Sequence, residues 1–202
     1  MRTRFIILAL LVWMLFFAAA KVVFALVCGE TAVSEMAVAL WHGMTIDLST
    51  ACYLTAVPLL VVWVSLSLRR FPLRAVLMPW HVLCAVAAAA AVVVDAALYP
   101  FWQVKLDATI LNYIDSPTEA LASVSVWFVV VRVVLFVALA AAIIYAMCRI
   151  TPRRVTKVSA WWHLCMPVWC ALFFVAMRGG VSESKMNVGV AYHSERLFMN
   201  HV

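Results

Sequence analysis

Five long apolar runs restrict what this chain can fold into more than any other feature of its sequence. They occupy residues 5–27, 48–68, 75–98, 121–148 and 158–177. Each run reaches the roughly 20 residues that an α-helix needs to cross the hydrocarbon core of a bilayer. Helices are expected because a backbone in hydrocarbon must satisfy its own hydrogen bonds, and because the runs lack the alternation of barrel strands. With 68% hydrophobic and 12% charged residues, the sequence predicts an all-α, polytopic membrane protein whose residues 1–177 form a five-transmembrane-helix bundle.

The basic residues are unevenly distributed between the connections, and this distribution predicts the orientation. Nine of the 15 basic residues fall in alternate connections, where none of the nine acidic residues is found. They are Arg2, Arg4, Arg69, Arg70, Arg74, Arg149, Arg153, Arg154 and Lys157. Because Lys and Arg concentrate on the cytoplasmic side, we expect the N-terminus inside and the tail 178–202 outside. These bases are spread over short loops rather than one basic face, so no nucleic-acid partner is expected.

The first apolar run allows two interpretations. A basic start, an apolar stretch over 5–17 and the Ala18-Ala19-Ala20 sequence are typical of a cleavable signal peptide. The apolar pattern resumes after Lys21 and continues to Val27, which favours an uncleaved membrane anchor. Both interpretations leave the later helices in the same orientation. Lys21 is expected to extend its long side chain to the membrane interface, and we assign it no function.

Two segments on the predicted outer side carry helical signals of their own. Apolar residues recur at helical spacing between Val33 and Met44, which predicts a short amphipathic helix lying on the outer leaflet. The sequence Ser116-Pro117-Thr118-Glu119 has the pattern of a capping box with proline at the first helical position. The fourth helix is therefore expected to begin in water, with Glu119 as the anion at its N-terminus.

Asp95 and Arg132 are the charged residues that are hardest to explain by exposure to water. Asp95 lies near the outer end of the third run, and Arg132 lies inside the fourth. An ionised group at the centre of a membrane helix costs roughly 2.5 to 3.5 kcal/mol, so such groups usually face a partner or a polar cavity. The two runs are consecutive and antiparallel, which predicts either an ion pair between these residues or a cavity for a lipid headgroup.

The remaining polar residues form no recognisable catalytic or metal-binding pattern. The acids and histidines outside the runs lack metal-ligand spacing such as HExxH, and no glycine-rich phosphate loop occurs. No nucleophile lies beside an evident base. The six cysteines fall mostly inside the apolar runs without a CxxC pair, so we interpret them as small buried apolar residues.

Three strings on the predicted outer side resemble a known family. They are WHGMTIDLSTACYL at 41–54, DAALYPFWQVKLDATILNYIDSPTEALASVS at 95–125 and RGGVSESKMNVGVAYHSERLFMNH at 178–201. In these strings the chain is similar to the membrane-embedded N-terminal region of the lipoteichoic acid synthase family, a sulfatase-like branch of the alkaline phosphatase superfamily that includes phosphoglycerol transferases. The resemblance covers nearly the whole chain and implies a location in the bacterial cytoplasmic membrane.

The resemblance also implies a domain that these residues do not contain. Members of the family carry, after five membrane helices, an extracytoplasmic α/β domain with a divalent metal such as manganese and a threonine nucleophile. That domain transfers or hydrolyses phosphate or sulfate esters. We expect the present chain to stop before it, as a fragment with no catalytic residue, no metal ligand and no cofactor of its own, and to be inactive alone.

The residues that match the family are expected to form an outer-face platform beneath that domain. They are His42, Gly43, Asp47, Asp95, Tyr99, Lys105, Asp107, Glu119, Arg178, Gly179, Asn187, Tyr192 and Asn200. The expected partners are membrane lipids and the extracytoplasmic domain, or a separate catalytic chain. The alternative is a stand-alone small transport or sensor protein that uses Asp95 and Arg132. The lack of evident inverted repeats or glycine-broken helices counts against it.

Overall fold

A computed structural model describes residues 2–27, 33–68, 70–102, 125–153, 155–156 and 161–179. Nearly all of these residues are helical, as the sequence predicts. The elements are α1 (Arg2–Val27), α2 (Val33–Ser67), β1 (Arg70–Phe71), α3 (Leu73–Trp102), α4 (Val126–Ile150), β2 (Val155–Thr156) and α5 (Trp161–Arg178). The chain divides into two compact units, one formed by Met1–His81 with Tyr145–Val202 and the other by Val82–Ile144.

Helix α1 runs without a break through the three alanines at 18–20 and Lys21. It packs along α2 and buries large side chains such as Phe5, Trp13 and Phe17. The rings of Trp13 and Phe17 stack with their centroids 6.0 Å apart. Since lipid tails are as apolar as these side chains, close van der Waals packing is what holds membrane helices together.

Helix α2 is longer than the sequence predicted. The separate amphipathic helix expected over 33–44 is wrong, because one helix of 35 residues spans Val33–Ser67 with Pro58 inside it. The residues between Met44 and Leu48 include neither proline nor glycine, so nothing interrupts the helix where the second span was expected to begin. At 1.5 Å per residue α2 is about 52 Å long, well beyond the roughly 30 Å of a hydrocarbon core.

Two of the basic connections are held together in the first unit. Strands β1 and β2 pair antiparallel, with Arg70 opposite Thr156 and Phe71 opposite Val155. Beside this ribbon, the guanidinium of Arg74 donates from Nε at 2.9 Å and from Nη2 at 2.7 Å to the carbonyl oxygen of Thr151. The start of α3 is therefore fastened to the residue that follows α4.

The N-terminal end of α1 also lies beside the start of α3 and the end of α4. The ring of Phe5 meets the ring of His81 edge-on, with centroids 6.3 Å apart. His81 is buried, and its Nε2 lies 3.5 Å from the hydroxyl of Thr151. The Thr151 hydroxyl also donates to the carbonyl of Met147 at 2.6 Å. Together these contacts bring the starts of α1 and α3 against the end of α4.

Helices α4 and α5 have defined ends in the part of the chain that the structure describes. The hydroxyl of Ser125 accepts a hydrogen bond from the Phe128 amide at 3.2 Å, which makes Ser125 the N-cap of α4. The predicted cap at 116–119 lies outside the described residues. Helix α5 ends at Gly179, whose φ of 89° suits glycine and stops the helix.

Four of these helices are long and apolar enough to cross a membrane. The qualifying segments are Thr3–Leu26, Met36–Ser67, Leu73–Tyr99 and Val126–Ile150. The apolar part of α5, Trp162–Arg178, is shorter, so the predicted fifth crossing stays a prediction. The first four predicted spans thus fall on helices that are long and apolar enough to cross a membrane, as expected of a helical membrane protein.

Candidate functional site

A lysine and an aspartate form an ion pair in the interior between α1 and α2. Both carboxylate oxygens of Asp47 lie 2.8 Å from Nζ of Lys21, and the contact to Oδ2 has the geometry of a hydrogen bond. The side chains are each only 3% exposed. Oδ1 of Asp47 is buried and has no hydrogen-bond partner among the described residues. An ion pair this deeply buried fixes the two helices against each other, because neither charge has access to water.

Gly43 makes room for the lysine. It lies four residues before Asp47, and therefore on the same face of α2. A Cβ atom added to Gly43 would overlap Nζ of Lys21 and lie 2.9 Å from its Cε. The lysine side chain therefore crosses α2 at the glycine on its way to the carboxylate. Any larger residue at position 43 would have to displace it.

The surroundings of the pair are apolar and closely packed. The crevice beside Lys21 has no room for a water molecule and is lined by Val22, Ala25, Met36, Ala39 and Leu40. In such surroundings a charge is stabilised almost entirely by its opposite charge, since no solvent screens it. Lys21 and Asp47 thus depend on each other.

The same end of α2 is tied to the last helix. The hydroxyl of Ser49 donates to the carbonyl oxygen of Met177 at 2.8 Å. Met177 lies in the last turn of α5, where carbonyls lack a partner within the helix. The Ser49 hydroxyl supplies a partner for the Met177 carbonyl, and Ser49 lies only two residues after Asp47. We call Lys21, Asp47, Ser49 and Met177 the paired end of the first unit.

The two ionised residues of this end are buried, contrary to expectation. Lys21 was expected at the membrane interface and Asp47 on the outer surface, and the structure buries both. Each residue is buried because it contacts the other. The local sequence around either residue does not reveal this contact. The detectable signal was a lysine inside one apolar run together with a Gly-x-x-x-Asp spacing directly before the next run.

Three other predicted platform residues lie in the described part of the chain at separate positions. His42 is half-buried on α2, and Arg178 is exposed as the last residue of α5. Tyr99 is buried on α3, in the second unit. Six further residues lie outside the described part of the chain, namely Lys105, Asp107, Glu119, Asn187, Tyr192 and Asn200.

Asp95 and Arg132 both belong to the second unit. Asp95 is half-buried on α3, and Arg132 is half-buried on α4. The guanidinium of Arg132 lies over the ring of Phe128, 3.6 Å from its centroid, which offsets part of the cost of a charge in an apolar helix. The predicted ion pair between Asp95 and Arg132 stays a prediction.

Among the described residues, no three His, Cys, Asp or Glu side chains lie close enough together to hold a metal ion. The described cysteines are free thiols: Cys52, Cys84, Cys148, Cys165 and Cys170. Cys52 and Cys84 are buried, whereas Cys165 is exposed. The prediction of buried cysteines is confirmed at the first two positions and wrong at Cys165.

The helices and the buried ion pair define a helical membrane protein with an ionised interior contact at one end of its first unit. Comparisons with protein-family models, with curated proteins and with solved structures found no match.

Proposed function

We propose that this chain is the membrane module of a lipoteichoic-acid-synthase-like protein in the bacterial cytoplasmic membrane. In this proposal all five helices cross the bilayer, the N-terminus is cytoplasmic, and the paired end faces outward. The paired end then supports an extracytoplasmic sulfatase-like domain, either on the same polypeptide or on a separate chain.

The hydrogen bond between Ser49 and Met177 is the observation that carries the proposal. Ser49 belongs to the first string that resembles the family, and Met177 directly precedes the third, at 178–201. These positions are 128 residues apart in the sequence, yet their atoms lie 2.8 Å apart. A platform requires its parts to meet at one end of the helices, and this contact joins the first string to the residue that directly precedes the third.

The distribution of charge supports the proposed orientation. Phe5 contacts His81 near the start of α3, beside the basic connections. Lys21 lies sixteen residues after Phe5 in the same helix, about 24 Å further along its axis. The described basic connections and the paired end therefore lie at opposite ends of the first unit. If the basic end is cytoplasmic, as the concentration of Lys and Arg predicts, the paired end is extracytoplasmic.

The proposed role of the module is to hold a catalytic domain close to a lipid substrate. Restricting an enzyme to the surface that contains its substrate raises the effective concentration of both. In the family that the strings resemble, a divalent metal and a threonine nucleophile in the extracytoplasmic domain supply the chemical step. This module supplies position, because the contacts of its paired end hold the last turn of α5, after which the chain leads to that domain.

Reporter fusions test the orientation on which the proposal depends. Alkaline phosphatase is active only outside the cytoplasm, and green fluorescent protein fluoresces reliably only inside. A fusion after Val202 should show phosphatase activity and no fluorescence, whereas a matched fusion after Leu68 should show the reverse. Fluorescence at Val202 with an inactive phosphatase there would contradict the proposed topology.

A chimera tests the family assignment itself. The catalytic domain of a lipoteichoic acid synthase, joined after Val202, should restore polymer synthesis in a strain that lacks the enzyme. The same domain on an unrelated single-helix anchor is the matched control, and it should restore less. A stable, exported chimera that performs no better than this control would remove the proposed platform role.

A further inference from the structure

The end of the first unit opposite to the paired end carries a cluster of exposed arginines. Arg4 is exposed in the first turn of α1, Arg70 in β1, Arg149 in the last turn of α4, and Arg153 three residues after the end of α4. We call these four residues the arginine cluster. We propose that the arginine cluster binds the phosphate groups of anionic lipids in the adjoining leaflet.

The fold collects these arginines from three separate parts of the chain. Strand pairing places Arg70 opposite Thr156, three residues after Arg153. Arg74 fastens the start of α3 to the Thr151 carbonyl. The backbone segments that carry these arginines are thus held at one end of the first unit before a ligand arrives, which lowers the entropic cost of binding.

No carboxylate in the neighbouring sequence neutralises the cluster. Residues 1–29, 48–94 and 120–182 contain no aspartate or glutamate. The guanidinium of Arg149 lies 5.8 Å from the centroid of the Tyr145 ring, a contact that orients the group without cancelling its charge. None of these four arginines has a carboxylate partner among the residues that the structure describes, so their positive charge can attract an external anion.

Phosphate is the anion whose chemistry fits best. The planar guanidinium donates two parallel hydrogen bonds to phosphate oxygens. Lipid phosphates are the source that we infer, because helices long enough to cross a membrane end at the cluster, and their ends lie at the level of the headgroups. This proposal does not depend on the proposed platform role, which concerns the opposite end.

The test uses the full chain in vesicles that contain brominated lipids, which quench the fluorescence of its tryptophans on contact. Brominated phosphatidylserine should associate more strongly than brominated phosphatidylcholine. Each basic residue near a membrane surface contributes roughly a fivefold preference for anionic lipid at low ionic strength. The preference should decrease at high salt, because salt screens exposed charges.

Three variants locate the effect. The triple substitution Arg70→Gln, Arg149→Gln and Arg153→Gln should remove most of the preference for phosphatidylserine. The triple substitution to lysine should keep a substantial part of it, because the positive charge remains. Arg178→Gln is the matched control, since Arg178 is an equally exposed arginine in the last turn of a helix, at the opposite end. It removes one basic residue outside the cluster, so it should lower the preference by no more than roughly fivefold, much less than the triple glutamine substitution does.

Several outcomes would overturn the proposal. These are equal quenching by both lipids in the unmodified protein, a preference that survives the triple glutamine substitution, or an equal loss in Arg178→Gln. Circular dichroism checks that each variant is folded, and the single glutamine variants replace the triple one if it is not. Inorganic phosphate separates the two phosphate sources. If it abolishes the preference when chloride at the same ionic strength does not, the cluster is a site for free phosphate.

Discussion

Removing one member of the Lys21–Asp47 pair should destabilise the protein far more than removing both. At the 2.8 Å separation of Nζ and Oδ1, Coulomb's law with an effective dielectric constant near 20 gives an attraction of about 6 kcal/mol. Placing two isolated charges in a membrane helix costs roughly 5 to 7 kcal/mol in total. These terms nearly cancel, so the intact pair contributes little net stability.

The single variants lack this cancellation. Lys21→Met leaves the carboxylate buried without a counter-charge, and Asp47→Leu does the same to the ammonium group. Breaking a buried pair in this way typically costs about 3 to 5 kcal/mol. The double variant removes both charges and retains apolar side chains, so its free energy of unfolding should lie within about 1 kcal/mol of the unmodified protein.

Unfolding in detergent provides the measurement. The purified chain is titrated with dodecyl sulfate, and the loss of native helix is followed by circular dichroism for all four members of the cycle. If the two residues act as a pair, the sum of the two single losses exceeds the loss in the double variant by several kcal/mol. If the two losses simply add in the double variant, the residues do not act as a pair and the interpretation of this end is wrong.

Two further predictions concern the neighbours of the pair. Gly43→Ala should cost about 1 to 3 kcal/mol, because the added Cβ would overlap the end of Lys21. In a Lys21→Ala background the same change should stabilise the protein by up to about 1 kcal/mol, since alanine favours a helix more than glycine does. A loss of stability of equal size in both backgrounds would exclude the steric explanation. Ser49→Ala should cost about 1 kcal/mol through loss of the bond to the Met177 carbonyl, measured by the same titration. The exposed Ser67→Ala is its control, and an equal effect of the two would show that the Ser49 bond contributes nothing.

The pattern of apolar residues along the sequence predicted the helices well where these residues form continuous runs. The expected first span, 5–27, agrees with α1 at Arg2–Val27, because length and lack of charge are local properties. The start of α2 was mispredicted because its polar residues were interpreted as a surface. Asp47 is polar in the sequence but buried in the fold, and only its partner on another helix explains why.

The contacts that build the candidate site were less predictable than the helices. Lys21 and Asp47 are 26 residues apart, and Ser49 and Met177 are 128 apart. Periodicity indicates which face of a helix is apolar, but it does not indicate which residue of another helix lies opposite. An unpaired charge inside an apolar run therefore predicts that a partner exists without identifying it.

The near-cancellation of energies in the Lys21–Asp47 pair gives it a role in specificity rather than in stability. Sliding α1 along α2 by one helical turn, about 5.4 Å, would displace buried rings such as Phe5, Trp13 and Phe17 from their present contacts. It would also separate the ammonium from the carboxylate and leave two uncompensated charges, at roughly 2.5 to 3.5 kcal/mol each. The pair therefore selects one register of α1 against α2. That register sets the position of Ser49 along the axis of α1. Since Ser49 binds the last turn of α5, the buried charges between the first two helices determine where the end of the fifth helix is held.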